Sequence, residues 1–98
     1  MPGVVSVIIP TLNNARVLAR TLAPLNEGVE AGLIREVIVS DGGSRDETLA
    51  VADEAGCILV SSEAGRAKQL IAGAARAKAK YLFFLYPDAK LAKGWSGE

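Results

Sequence analysis

The sequence predicts an α/β fold: one parallel sheet with helices on both faces. Two observations carry this. Short β-forming runs alternate with longer alanine-rich stretches in the order βαβαβαβ, and that order builds a three-layer sheet through right-handed crossovers. The first run is also nearly continuous in apolar residues instead of alternating with polar ones, as a strand buried on both faces would be. The expected strand order is 3-2-1-4. A chain of 98 residues is read as a single domain over residues 1–98, burying somewhat over ~60% of the unfolded surface.

The elements follow in order. Residues 4–9 (VVSVII) form the first strand, stopped by Pro10. Asn13 or Asn14 can cap a helix that runs to about Leu25, with Pro24 ending its regular part and a turn over residues 27–32. Residues 35–40 form the second strand. Ser44 and Glu47 have the spacing of a capping box, which opens a helix running to about Ala55, where Gly56 stops it. Residues 57–61 are the third strand. A third helix runs from Gly65 to about Lys78, with Leu70, Ile71, Ala74 and Ala75 on its apolar stripe. The fourth strand, residues 80–86, is halted by Pro87.

Composition excludes much chemistry. The chain has no histidine, so Ser-His-Asp and Cys-His catalysis and histidine metal sites are out. A single cysteine, Cys57, excludes an internal disulfide and multi-cysteine metal sites. No apolar run approaches the ~18 residues of a membrane span, and no basic residue precedes Arg16, so no secretory leader is read. The expectation is a reduced, cytoplasmic protein. Net charge is zero but segregated: residues 27–63 hold nine acids against Arg35 and Arg45, and residues 64–97 hold seven bases against Asp88. Two solvated helix faces would account for this, as would a positive surface for an anionic ligand. Neutral charge and five aromatics argue against nucleic acid.

Ligands of such sheets bind beyond the carboxyl ends of the strands. Four segments converge there: residues 11–14, 41–44, 61–66 and 86–90. No G-x-G-x-x-G follows the first strand and no P-loop motif occurs. The most specific segment is residues 41–44 (DGGS): its glycines allow a tightly turned backbone, and the Asp41 carboxylate can accept hydrogen bonds from a base or ribose. The same pattern also suits a plain strand-to-helix turn capped by Ser44. Asp88 suits a divalent cation bridged to a diphosphate, which needs only one or two protein carboxylates, and equally suits a turn. Arg66 begins a helix, where a cation opposes the dipole and an anionic partner would explain it.

Taken together, these segments resemble family 2 glycosyltransferases of the GT-A fold over essentially the whole chain. Residues 5–13 (VSVIIPTLN) match the family's opening strand and P-T-[YL]-N-E loop. Residues 36–48 (EVIVSDGGSRDET) match its D-[DG]-G-S-x-D-x-T segment, and residues 65–74 (GRAKQLIAGA) resemble G-R-[AG]-x-Q-x-N-x-G-A of a bacterial subgroup. Residues 81–88 (YLFFLYPD) sit where the family has Y-[IL]-x-F-L-D-A-D. The resemblance implies a Rossmann-like, truncated GT-A fold that binds a nucleoside diphosphate sugar with Mg²⁺ or Mn²⁺. It places Thr11 and Asp41 at the base or ribose, Gly42 in the same loop and Arg66 near the nucleotide. Pro10 and Asn13 would shape the first loop, and Asp88 would hold the metal.

Three departures stand out. Asn14 replaces the acid that usually follows the loop asparagine. Tyr86 stands where the first aspartate of the D-x-D metal motif is expected. The family's acceptor half, with its catalytic base, has no counterpart in the 98 residues. The sequence therefore leads to a donor-binding half that is incomplete for catalysis, with no nameable catalytic residue. Its apolar fourth strand, at a sheet edge, would recruit a second copy or a missing C-terminal half. The alternatives are a non-catalytic nucleotide-binding or self-associating module of the same descent, and an unrelated flavodoxin-like binding domain.

Overall fold

A computed structural model describes residues 3–87. The chain runs β1 (Val5–Thr11), α1 (Ala15–Glu30), β2 (Ile34–Asp41), α2 (Thr48–Glu54), β3 (Ile58–Ser61), α3 (Arg66–Arg76) and β4 (Tyr81–Phe84). All strand pairs are parallel and the sheet order is β3-β2-β1-β4, as the sequence predicts.

Alternation along β1 divides the core between the two faces. Val7 and Ile9 pack with Leu18, Leu22 and Leu25 of α1 and with Ala52 of α2. Ile8 points the other way, against α3. The helix lies very close there: a Cβ on Gly73 would stand 2.6 Å from Ile8 Cγ2. This approach changes which residues of α3 face the sheet. Gln69 and Gly73 are buried, whereas Ile71, expected on the apolar stripe, is 70% exposed.

Two prolines are absorbed. Leu85 N–H donates to the Ile8 carbonyl and Gly42 N–H to the Thr11 carbonyl, so alternate residues of β1 serve opposite neighbours. Pro10 therefore turns its missing donor toward the β4 side, past Phe84 where that strand has ended. This is why β1 continues through Pro10 to Thr11 instead of stopping. In α1, Pro24 lies inside the helix, which runs on to Glu30 in place of the expected turn. The buried stripe of Leu18, Leu22, Leu25 and Gly28 continues across the proline and holds the helix to the sheet.

The amino end of the sheet is pinned by a small polar network. Ser6 Oγ donates to Glu36 Oε2 at 2.6 Å, and the amides of Lys78 and Ala79 donate to Glu36 Oε2 and Ser6 Oγ. Burial would raise the Glu36 carboxyl, but the Ser6 hydroxyl and Lys78 amide outweigh it and hold it below its ordinary value. The connection into β4 is thereby tied to β1 and β2. β4 itself sits at an edge, with Tyr81, Leu82, Phe83 and Phe84 all exposed.

Gly73→Ala is expected to destabilise the chain by about 1–3 kcal/mol, because the added methyl enters the Ile8 contact. A lowered urea midpoint with unchanged slope checks this, and an unchanged midpoint would mean that α3 stands farther off the sheet.

Candidate functional site

The carboxyl ends of β1 and β2 are held by one buried side chain. Gln69, on the sheet face of α3, donates from Nε2 to the carbonyls of Thr11 at 2.8 Å and Ser40 at 2.9 Å. Its Oε1 accepts from the Gly65 amide at 3.1 Å. Gly42 passes against this brace, where a Cβ would meet Gln69 Oε1 at 2.9 Å and the Ala64 backbone at 3.1 Å. The glycine is required by that approach.

Asp41 ends β2 almost fully buried, at 4% exposure. Its Oδ1 accepts the hydroxyls of Thr11 at 2.7 Å and Ser44 at 2.5 Å, and its Oδ2 accepts the amides of Gly43 at 3.0 Å and Ser44 at 2.7 Å. Four donors fill the ordinary capacity of a carboxylate. Burial would raise this carboxyl, but the Ser44, Thr11 and Gly43 hydrogen bonds win and hold it below its ordinary value.

The loop after β1 is clasped to the loop after β2. Asn13, in the left-handed region at φ 55°, donates its amide to Ser44 Oγ at 2.8 Å and accepts from the Arg45 amide through Oδ1 at 2.7 Å. The Asn14 amide donates to Thr48 Oγ1 and the Ala15 amide to Asp46 Oδ2. Two predicted caps are thereby reassigned. Asn14 precedes α1, but its side chain accepts the Leu12 amide instead of capping the helix. The capping box of Ser44 and Glu47 does not form, because Ser44 Oγ accepts the Asn13 amide and α2 begins only at Thr48. Asp46 takes the Thr48 amide and hydroxyl, which, with the Ala15 amide, lower its carboxyl.

In front of the clasp lies an open cavity of about 690 Å³, lined by Pro10, Thr11, Leu12, Asn14 and Val17 on one side and by Gly65, Arg66 and Gln69 on the other. Tyr86 and Pro87 close its β4 end. Of the predicted binding residues, Pro10, Thr11 and Arg66 line this space. Asn13, Asp41 and Gly42 stand behind it and shape the loops. Asp88 lies outside the described residues. Gln69 is a site-shaping residue that the predicted binding set lacks, although it and Gly73 occupy the Q and G of the matched G-R-[AG]-x-Q-x-N-x-G-A stretch.

Among the described residues, no carboxylate lines the cavity and no group of three or more His, Cys, Asp or Glu could hold a metal ion. The chain's free thiol is remote from this space, and burial pushes Cys57 up to about 11, which makes it a poor nucleophile.

The family model for glycosyl transferase family 2 matches residues 6–98. The chain belongs to that family. Among solved structures, this family 2 chain is similar to glucosyl-3-phosphoglycerate synthase from Mycobacterium tuberculosis. Against the complex with Mn²⁺, UDP and glucosyl-3-phosphoglycerate, the TM-score is 0.78 at 26% identity, covering 87% of this chain and 33% of that one. Against the UDP complex it is 0.80 at 26% identity, covering 90% and 35%. The complex with Mg²⁺ and UDP gives 0.78, again at 26% identity and covering 87% and 33%. The chain thus spans about a third of the length of these structures. No curated protein matches it. Among the described residues no helix is long and apolar enough to cross a membrane.

Asp41→Asn is expected to cost about 2–4 kcal/mol in urea unfolding, since an amide nitrogen then faces N–H donors left unpaired. The lowered Asp41 carboxyl also sets a sign for pH. The unfolded chain binds the proton more readily, so this group's contribution is present above the ordinary value of 3.8 and is lost as pH falls through the folded one. Wild-type stability should therefore fall more steeply below about pH 4 than that of Asp41→Asn, in urea midpoints measured across that range.

Proposed function

We propose that the chain is the donor-binding half of a family 2 glycosyltransferase and that the cavity beside Thr11 and Arg66 receives a nucleoside diphosphate sugar. The observation that carries this is the cavity's position and lining. It opens where β1 ends, between two polar loops braced from behind, with Arg66 as its cation and no acid in its described wall. That environment suits a diphosphate. Similarity to structures containing UDP supports the same reading.

The residues divide the work. Thr11, buried with its hydroxyl donating to Asp41, anchors the loop edge that faces the base and ribose. Asp41, Gly42 and Asn13 keep that edge in place. Arg66 offers donors to the phosphates. A divalent cation arriving with the diphosphate would have Asp88 as its protein ligand; when bound, it stabilises negative charge on the leaving group. No described residue is placed as a base for an acceptor hydroxyl, so glycosyl transfer requires residues beyond those described. We place the protein in the cytoplasm, where its one thiol stays reduced.

The exposed β4 edge favours a second role for the same chain, self-association or docking of further polypeptide along residues 80–86. Sedimentation across a range of concentrations is expected to show a dimer or larger species, and a clean monomer at high concentration would remove this reading.

Calorimetric titration of UDP and UDP-glucose, with and without Mn²⁺, tests the donor site. Binding is expected to strengthen with Mn²⁺ and to lose that gain in Asp88→Ala. Arg66→Ala is expected to weaken UDP binding by about ten- to a hundredfold, the worth of a charge-assisted hydrogen bond, and to leave uridine binding unchanged. No binding of any nucleoside diphosphate at millimolar concentration would overturn the proposal.

A further inference from the structure

We infer that Tyr86 is a positioning residue for Arg66: its ring seats the guanidinium at the cavity mouth and leaves the charge unneutralised for the phosphates of a nucleoside diphosphate. The inference rests on the donor-site reading above and assigns a role to the position at which the chain departs from the family's metal motif.

Arg66 is the first residue of α3, where the helix dipole opposes a cation. Among the described residues no carboxylate lies within ion-pair distance of it, the one such pair being Lys68 with Glu63. What it has is an aromatic face. The guanidinium carbon stands 4.5 Å from the Tyr86 ring centroid, inside the roughly 6 Å range of cation–π attraction. Both side chains line the same cavity.

The backbone fixes where the ring goes. Leu85 is buried in the core on the α1 face and its amide donates to the Ile8 carbonyl at 3.0 Å. On the other side of Tyr86, the Pro87 carbonyl accepts the Thr21 hydroxyl. Alternation along the chain then sends Tyr86 to the opposite side from Leu85, toward the start of α3. The ring itself is 51% exposed, so core packing does not hold it there.

The residue type matters as much as the place. A guanidinium held over a ring face forms no ion pair there, so its N–H groups stay free to donate to another acceptor. An acid at position 86 would take those donors and cancel the charge. An aromatic ring orders the arginine and does neither.

The experiment has two readouts on the wild type, Tyr86→Phe, Tyr86→Leu and Arg66→Ala. The Arg66 Nε–H resonance is expected upfield in the free wild type and in Tyr86→Phe through the ring current, and at its ordinary position in Tyr86→Leu. Calorimetry should show UDP affinity reduced about two- to fivefold in Tyr86→Leu, the worth of an exposed cation–π contact, and restored in Tyr86→Phe. Uridine affinity should not change, and Tyr86→Leu should add nothing in the Arg66→Ala background. Absence of the ring-current shift in the wild type overturns the pairing whatever the chain binds. A shift in a wild type that binds no UDP, GDP or ADP overturns the donor-site reading and the role of Tyr86 with it. A shift, bound UDP and a Tyr86→Leu chain that binds UDP like the wild type overturn the positioning role alone.

Discussion

One buried carboxylate organises the carboxyl end of the sheet. Asp41 closes β2, and its four hydrogen bonds reach the end of β1 through Thr11 and the turn of its own loop through Gly43 and Ser44. Ser44, oriented by that carboxylate, then accepts the Asn13 amide. The first loop is therefore built on the second. A burial that would normally favour the neutral acid is offset by donors aimed at the charged form.

Behind this sits a mechanical condition. The Gln69 amide can reach the Thr11 and Ser40 carbonyls only because α3 lies against the sheet at Gly73. The same closeness demands that Gly42 have no side chain. A helix seated this low also brings its first residue, Arg66, level with the strand ends. Two glycines, a glutamine and an arginine in two separate segments thus depend on one helix-to-sheet spacing.

Much of this architecture was legible in the sequence. The alternation of β-forming and alanine-rich runs gave the element order, and the sheet order followed from it. The convergence of residues 11–14 with the start of α3 was legible too, since strand ends meet at one edge in any such sheet. The failures share a cause: a local rule was overridden by a longer-range partner. Pro24 reads as a helix stop, but the buried leucines on either side hold α1 together across it. Ser44 reads as a cap, but its Oγ accepts the Asn13 amide from the neighbouring loop instead of an amide of the helix that follows. The α3 stripe was drawn through Ile71, where hydrophobicity points, while the sheet selected Gly73 for its size. The loop residues, both those lining the cavity and Asn13, Asp41 and Gly42 behind it, were legible from their unusual composition; that Gln69 braces them from α3 depends on a helix-to-sheet distance that composition does not report.

The clasp between the two loops has a consequence for recognition. Its hydrogen bonds form within the chain itself, so a ligand entering the cavity meets walls that already have their shape. Little conformational entropy is left to be surrendered in those loops on association, and the affinity reports mainly what the lining offers. Among the described residues, discrimination among ligands then comes from fit to walls already in place, with Arg66 seated on the Tyr86 ring as their charged part.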